Sequence, residues 1–149
     1  MKTPRFLILV SALALIVVSA AAAHRGVVIK GTRGDDALTG TTSNDLILAR
    51  GGNDSVNALE GRDRIFGGWG DDTVDGGPGR DRLFVGRGAD IELGGDGNDV
   101  LHALARDNQV DTLDCGPGHD VVWLNANEQD TQVNCEVIKT VVTSQPDDG

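Results

Sequence analysis

The side chains with chemistry to offer are carboxylates, and they return at a fixed interval. Asp36, Asp45, Asp54, Asp63, Asp72, Asp81, Asp90 and Asp99 follow one another nine residues apart. Cut from Gly31, the chain reads GTRGDDALT, GTTSNDLIL, ARGGNDSVN, ALEGRDRIF, GGWGDDTVD, GGPGRDRLF, VGRGADIEL and GGDGNDVLH, with aspartate always sixth. The fourth place is Gly34, Gly52, Gly61, Gly70, Gly79, Gly88 and Gly97, broken only by Ser43. Carboxylates at one point of a repeated turn are ligands for a hard divalent cation, and glycine-rich bends free carbonyl oxygens to complete its shell. Aspartate also favours turns by local hydrogen bonding, so a purely turn-capping column is the alternative.

The eighth place says what positions these turns. It holds Leu38, Ile47, Val56, Ile65, Val74, Leu83, Glu92 and Leu101. One apolar residue per unit cannot make a helix face, but a three-residue strand between turns needs only its central side chain inward. Each unit is therefore a six-residue turn and a short strand, and two units make a coil. A unit this small buries nothing alone, so stability must come from stacking. Four coils about 4.8 Å apart predict a parallel two-sheet solenoid roughly 19 Å tall. Turns on one side lie 18 residues apart, which sorts the aspartates into two ladders: Asp36, Asp54, Asp72 and Asp90, and Asp45, Asp63, Asp81 and Asp99. Glu92 breaks the apolar column; its strand is expected to rotate so that Ile91 or Leu93 faces inward, the alternative being that the acid lies near the edge of the roll.

GGWGDD (67–72), GGPGRD (76–81) and GGDGND (94–99) carry the pattern G-G-x-G-x-D in full. On these residues the chain resembles the RTX, or haemolysin-type, calcium-binding nonapeptide repeat across residues 31–102. The resemblance implies an all-β fold, a parallel β-roll or two-sheet β-solenoid, with Ca2+ held between successive turns on the same side. All eight aspartates are then candidate metal ligands. Three adjacent pairs per ladder set a ceiling of six sites, the best joining Asp72 to Asp90 and Asp81 to Asp99. The weakest involve Thr41-Thr42-Ser43 and Ala58-Leu59-Glu60, where the motif's glycines are replaced, and Arg62 and Arg80 are expected to compete for the carboxylates. Without metal each ladder is a column of like charge, so binding and folding are expected to be one event.

The rest of the chain frames this repeat. Residues 1–23 read as an export signal: Lys2 and Arg5, an apolar run from Phe6, and Ala21-Ala22-Ala23 for cleavage, a membrane anchor being the alternative. A lead-in over 24–30 precedes the repeats. After His102 the period pauses at Ala103-Leu104-Ala105 and resumes with Asp111 and Asp120. Residues 103–139 read as a divergent C-terminal cap, and 140–149 as a frayed tail. Cys115 and Cys135 are the only two cysteines. In an exported protein such a pair reads as a disulfide, since a structural zinc site needs four ligands; it would pin the cap and stabilise it by roughly 3 kcal/mol.

Composition narrows function. A net charge of -10, passing to -12 if the leader takes Lys2 and Arg5 with it, repels nucleic acid and anionic membranes, and calcium is the natural counterpart. No membrane contact is expected once the leader is cleaved. The outward face of one sheet reads Leu46, Leu48, Phe66, Phe84, Val100 and His102 with Arg64 and Arg82 between; the Leu48, Phe66, Phe84 stripe is expected to dock a protein partner or the chain's own C-terminal tail. His24, His102 and His119 are scattered, and neither H-E-x-x-H nor G-x-S-x-G occurs, so no enzyme is expected. The sequence thus points to a secreted, extracellular or cell-surface calcium-binding module that acts structurally or through a partner. The alternatives are an accessory domain of a secreted enzyme or toxin, and a calcium-dependent ice-binding roll. The last is opposed by the irregular column Thr39, Asn57, Asp75 and Leu93.

Overall fold

The computed structural model describes residues 26–142 and the backbone of 14–17. It is a two-sheet solenoid with parallel pairing throughout. One sheet is built in order from β1 (Ala14–Val17), β3 (Asp36–Thr39), β5 (Ser55–Asn57), β7 (Thr73–Asp75), β9 (Ile91–Leu93), β11 (Thr112–Asp114) and β13 (Thr131–Val133). The other runs from β2 (Val28–Lys30) through β4 (Leu46–Gly51), β6 (Arg64–Trp69), β8 (Arg82–Arg87), β10 (Val100–Ala103) and β12 (Val121–Asn125) to β14 (Val137–Val141). Odd and even strands separate because each turn reverses the chain from one sheet to the other. Ile47 pairs with Ile65, Ile65 with Leu83 and Leu83 with Leu101, the register that the 18-residue coil predicts. Apart from Ala14–Val17, which pairs with β3, the expected export signal lies outside the described residues.

The core is a single file. Ile29, Leu38, Ile47, Val56, Ile65, Val74, Leu83, Leu101, Leu113 and Val122 are almost fully buried, and small first-place residues, Ala49, Ala58 and Ala103, fill between them. So thin an interior leaves much of the cohesion to the turns. Fourth-place glycines let the turns close up: a Cβ on Gly79 would lie 1.7 Å from the Gly61 carbonyl oxygen, and one on Gly97 1.6 Å from that of Gly79. No side chain fits there.

Three expectations are corrected. The strands are not uniformly three residues long: β4, β6 and β8 have six, because the second and third residues of the following unit also pair, Gly51 with Trp69 and Trp69 with Arg87. The strand at Glu92 does not rotate. Glu92 keeps the inward place between Val74 and Leu113 and is fully buried, while Ile91 and Leu93 are 44% and 36% exposed. Backbone register wins, since turning β9 over would break pairing on both of its sides. Thirdly, the described tail does not fold over the aromatic stripe. It continues the sheets, and β14 carries pairing through Val141, two residues into the segment expected to fray.

The stripe satisfies itself. Phe66 and Phe84 stack with centroids 4.8 Å apart, Phe84 and His102 at 4.3 Å, and His102 and Trp123 at 6.0 Å, all nearly parallel. The Lys139 ammonium closes the far end 4.5 Å above Trp123. From Phe66 to Trp123 the facing ring faces are spent on one another.

Past His102 the three-residue pause enlarges the coil, so that Asp90 meets Asp111 and Asp99 meets Asp120 at a separation of 21. Cys115 then takes the first place of its unit, wholly buried, and is bonded to Cys135 across 20 residues.

Burial, with Asp111 and Asp90 adding to it and the His102 backbone N–H opposing it, raises the Glu92 pKa well above the ordinary range, and no well-formed hydrogen bond satisfies either carboxyl oxygen. Glu92→Leu should therefore stabilise the calcium-saturated protein by about 1–3 kcal/mol, read as a higher urea midpoint, without loss of calcium binding. A lower midpoint would show that the acid has a partner.

Candidate metal centre

Each ladder is joined by a bond from backbone to carboxylate. The Asp36 N–H donates to Asp54 Oδ1 (2.8 Å), Asp54 to Asp72 (2.8 Å) and Asp72 to Asp90 (2.8 Å). On the other side Asp45 donates to Asp63 (2.6 Å), Asp63 to Asp81 (2.7 Å) and Asp81 to Asp99 (2.7 Å). The eight aspartates thus fall into the two expected files. Both files run further: Asp90 donates to Asp111 and Asp111 to Asp130, while Asp99 donates to Asp120 and Asp120 to Glu136. The nine-residue spacing of Asp111 and Asp120 was a visible signal. Asp130 and Glu136 are offset by 19 and 16 residues, and no period marks them.

That bond uses one carboxylate oxygen and leaves the other. Oδ2 of Asp54, Asp63, Asp72, Asp81, Asp90, Asp99, Asp120 and Asp130 is buried with no hydrogen-bond partner. A charged oxygen so placed costs several kcal/mol unless a cation meets it. The first turns differ. Asp45 Oδ1 accepts from Val27 N–H, and its Oδ2 accepts from the N–H and hydroxyl of Thr41, so both oxygens are satisfied. Asp36 Oδ2 likewise takes the N–H and hydroxyl of Thr32, and only Oδ1 is left over.

The free oxygens have carbonyls for company. A methyl group on Gly67 would sit 2.5 Å from Asp72 Oδ2 and 2.7 Å from the carbonyl oxygen of Val85 in the next turn. On Gly76 it would meet Gly94 O at 2.7 Å and Asp81 Oδ2 at 3.0 Å, and on Gly94 Cys115 O at 2.4 Å and Asp99 Oδ2 at 3.1 Å. A side chain at Gly67, Gly76 or Gly94 would fill a cradle of oxygens, which accounts for glycine at those three first places, while Ala49, Ala58, Val85 and Cys115 stand first in other units. Among the described residues no three Asp, Glu, His or Cys side chains converge tightly enough to hold a metal alone. Backbone oxygens must therefore complete any shell, the combination of carboxylate and freed carbonyl that the glycine-rich bends lead one to expect. That mixture of carboxylate and carbonyl suits Ca2+, which accepts irregular sets of six to eight oxygens.

The profile of the RTX calcium-binding nonapeptide repeat (4 copies) matches residues 30–65, 48–83, 57–92, 66–101 and 93–127. This chain belongs to the RTX calcium-binding nonapeptide repeat family. Matches to this repeat therefore extend 25 residues past His102, into the divergent segment. No curated protein and no solved structure gives a significant match. Calcium is the ion of this RTX roll, and the repeat is a structural calcium-binding unit.

Electrostatics fit an ion-dependent site. Burial pushes Asp63, Asp72, Asp81 and Asp111 up from 3.8 to about 7, and Asp54, Asp90 and Asp99 to about 6; the ladder N–H opposes the shift and neighbouring carboxylates add to it. Arg62 and Arg80 do not relieve them as expected. They lie with Arg64, Arg82 and Asp63 around a concavity of about 170 Å³, and the free oxygens of Asp63 and Asp81 remain without hydrogen-bond partners.

Two outcomes follow for the RTX roll. Asparagine keeps an oxygen for the ladder bond and replaces only the free one, so Asp81→Asn should weaken calcium binding by about tenfold or more in calorimetry, while Asp45→Asn changes it little. Equal losses would remove the distinction. A carboxyl whose pKa is raised by folding favours the folded state below its unfolded value and loses that contribution as pH rises through the folded value. Any strand signal that the metal-free protein holds near pH 5, where these carboxyls are protonated, should thus fall away as pH rises to about 8, while the gain from calcium grows over the same range. A flat or rising metal-free profile would contradict these pKa directions.

Proposed function

We propose that this RTX protein is a secreted calcium-binding repeat protein that folds on meeting Ca2+ outside the cell and serves there as a structural or interaction module. The observation that carries the reading is the series of buried, partnerless aspartate oxygens facing next-turn carbonyls. A thin core cannot offset eight such oxygens, so the metal-free roll lacks the cohesion to close. The ligands would be Asp54, Asp63, Asp72, Asp81, Asp90 and Asp99, with Asp36 and Asp45 the least able to contribute. Asp111, Asp120 and Asp130 join the same files. When bound, calcium supplies positive charge between turns; the chain's own part is to hold each carboxylate by its Oδ1 bond with the free oxygen inward.

Export is supported by the leader pattern of residues 1–23 and by the Cys115–Cys135 disulfide, which persists in oxidising compartments. Calcium is scarce inside cells and plentiful outside, so a roll of modest affinity would stay open until exported. No helix among the described residues is long and apolar enough to cross a membrane. The module role follows from the family's structural unit, which fills most of the chain.

Calcium titration of the chelated, disulfide-intact protein, followed by far-ultraviolet circular dichroism, tests this. Strand signal should appear cooperatively with calcium and vanish on chelation. Strand content indifferent to calcium would refute coupled folding.

A further inference from the structure

Third places of the repeat project from the turns, and all but one carry a side chain: Arg33, Thr42, Glu60, Trp69, Pro78, Arg87 and Asp96 against Gly51. Gly51 is not required by the backbone. Its φ is not positive, and a Cβ there would meet only Trp69 O at 3.6 Å and Trp69 Cβ at 3.8 Å, ordinary contact. The missing side chain leaves one rung empty between Arg33 and Trp69. The result is a concavity of about 760 Å³ floored by Gly51 and Gly52, with Arg50 at its side. Trp69 is 70% exposed and lines this concavity, so its indole is available to a ligand there. The Arg87 guanidinium lies 5.8 Å from its ring centroid, holding the ring upright. Arg50 spends one N–H on Gly31 O (3.0 Å) and has others to give.

We propose that this slot binds one anionic pyranose unit of an acidic glycan. Arg33 and Trp69 stand two rungs apart, about 9.6 Å. A ring in the vacant rung lies about 4.8 Å from each wall, the spacing at which Phe66 and Phe84 already stack at 4.8 Å. A chair-form sugar is thicker than a planar base, so it fills the vacant rung more completely and presents C–H bonds to indole. Arg33 and Arg50 supply the forked donors that a carboxylate or sulfate on that sugar accepts. The neighbouring Asp35 and Asp71 carboxylates accept backbone N–H groups from Asn53 and Ala89 in the next turns, so they are held along the stack. The remaining surface is acidic, which disfavours a densely charged polyanion and suits a polymer with sparse charge.

The test uses calcium-loaded full-length protein in a Trp123→Phe background, so that fluorescence reports Trp69 alone. Hyaluronan hexasaccharide, which alternates glucuronate with N-acetylglucosamine, is titrated by fluorescence and calorimetry, with cellohexaose and AMP as comparisons. Binding with a changed Trp69 signal is expected for the acidic sugar, with little from the neutral one or from AMP. Gly51→Leu fills the slot, Arg50→Gly removes a guanidinium while relieving a φ of +87°, and Arg33→Gln acts at the surface. Each should weaken binding about tenfold or more with the calcium-dependent dichroism unchanged. Absence of binding, equal affinity for cellohexaose, tighter binding of AMP, or Gly51→Leu binding like the parent would each overturn the proposal.

Discussion

A carboxylate buried between two stacked turns has two oxygens to satisfy, and the ladder supplies one regular donor. In this chain the donor is the N–H of the aspartate one coil earlier, at 2.6–2.8 Å through Asp99. The other oxygen is left facing carbonyls. The rest of the structure follows from that imbalance. Glycine at the first place, as at Gly67, Gly76 and Gly94, leaves the oxygen cradle open, and glycine at the fourth lets successive turns touch backbone to backbone. The core can be one residue wide only if something besides apolar burial holds the turns together.

The two sides of the roll share this scheme unequally. At the N-terminal end Thr32 and Thr41 turn their own N–H and hydroxyl groups onto Asp36 and Asp45, making neutral substitutes for a cation. From Asp54 onward no such substitute exists and the free oxygens accumulate. The first coil thus leaves fewer carboxylate oxygens unpartnered than the later coils, where the full glycine motif occurs. At the far end the disulfide ties the unit at Cys115 to Cys135, where the repeat spacing becomes irregular.

Much of this was legible in the sequence because a solenoid converts spacing directly into geometry. The nine-residue aspartate column gave both ladders, and the eighth-place column predicted the core file. Where the reading failed, a local preference met a longer-range constraint. Glu92 was expected to turn out of the core, but rotation of β9 would cost pairing with both β7 and β11, and the acid stays inside. The Phe66 and Phe84 stripe was expected to dock the tail or a partner; the described tail continues the sheets instead, and the rungs set the rings at stacking distance. Asp130 and Glu136 could not be found by period, since coils of 19 and 16 residues interrupt it, although their oxygens still meet the preceding N–H groups. The free oxygens themselves have no sequence signature. Aspartate as turn cap and aspartate as ligand look alike until the hydrogen bonds are assigned atom by atom.

The most direct measurement is a crystal structure of the calcium-loaded protein with the ions located by their anomalous scattering. The account predicts peaks between successive turns of both files, contacting Asp72 Oδ2 beside Val85 O, Asp81 Oδ2 beside Gly94 O and Asp99 Oδ2 beside Cys115 O, with none held by Asp45. An ordered roll in calcium with no ion at those oxygens would contradict it.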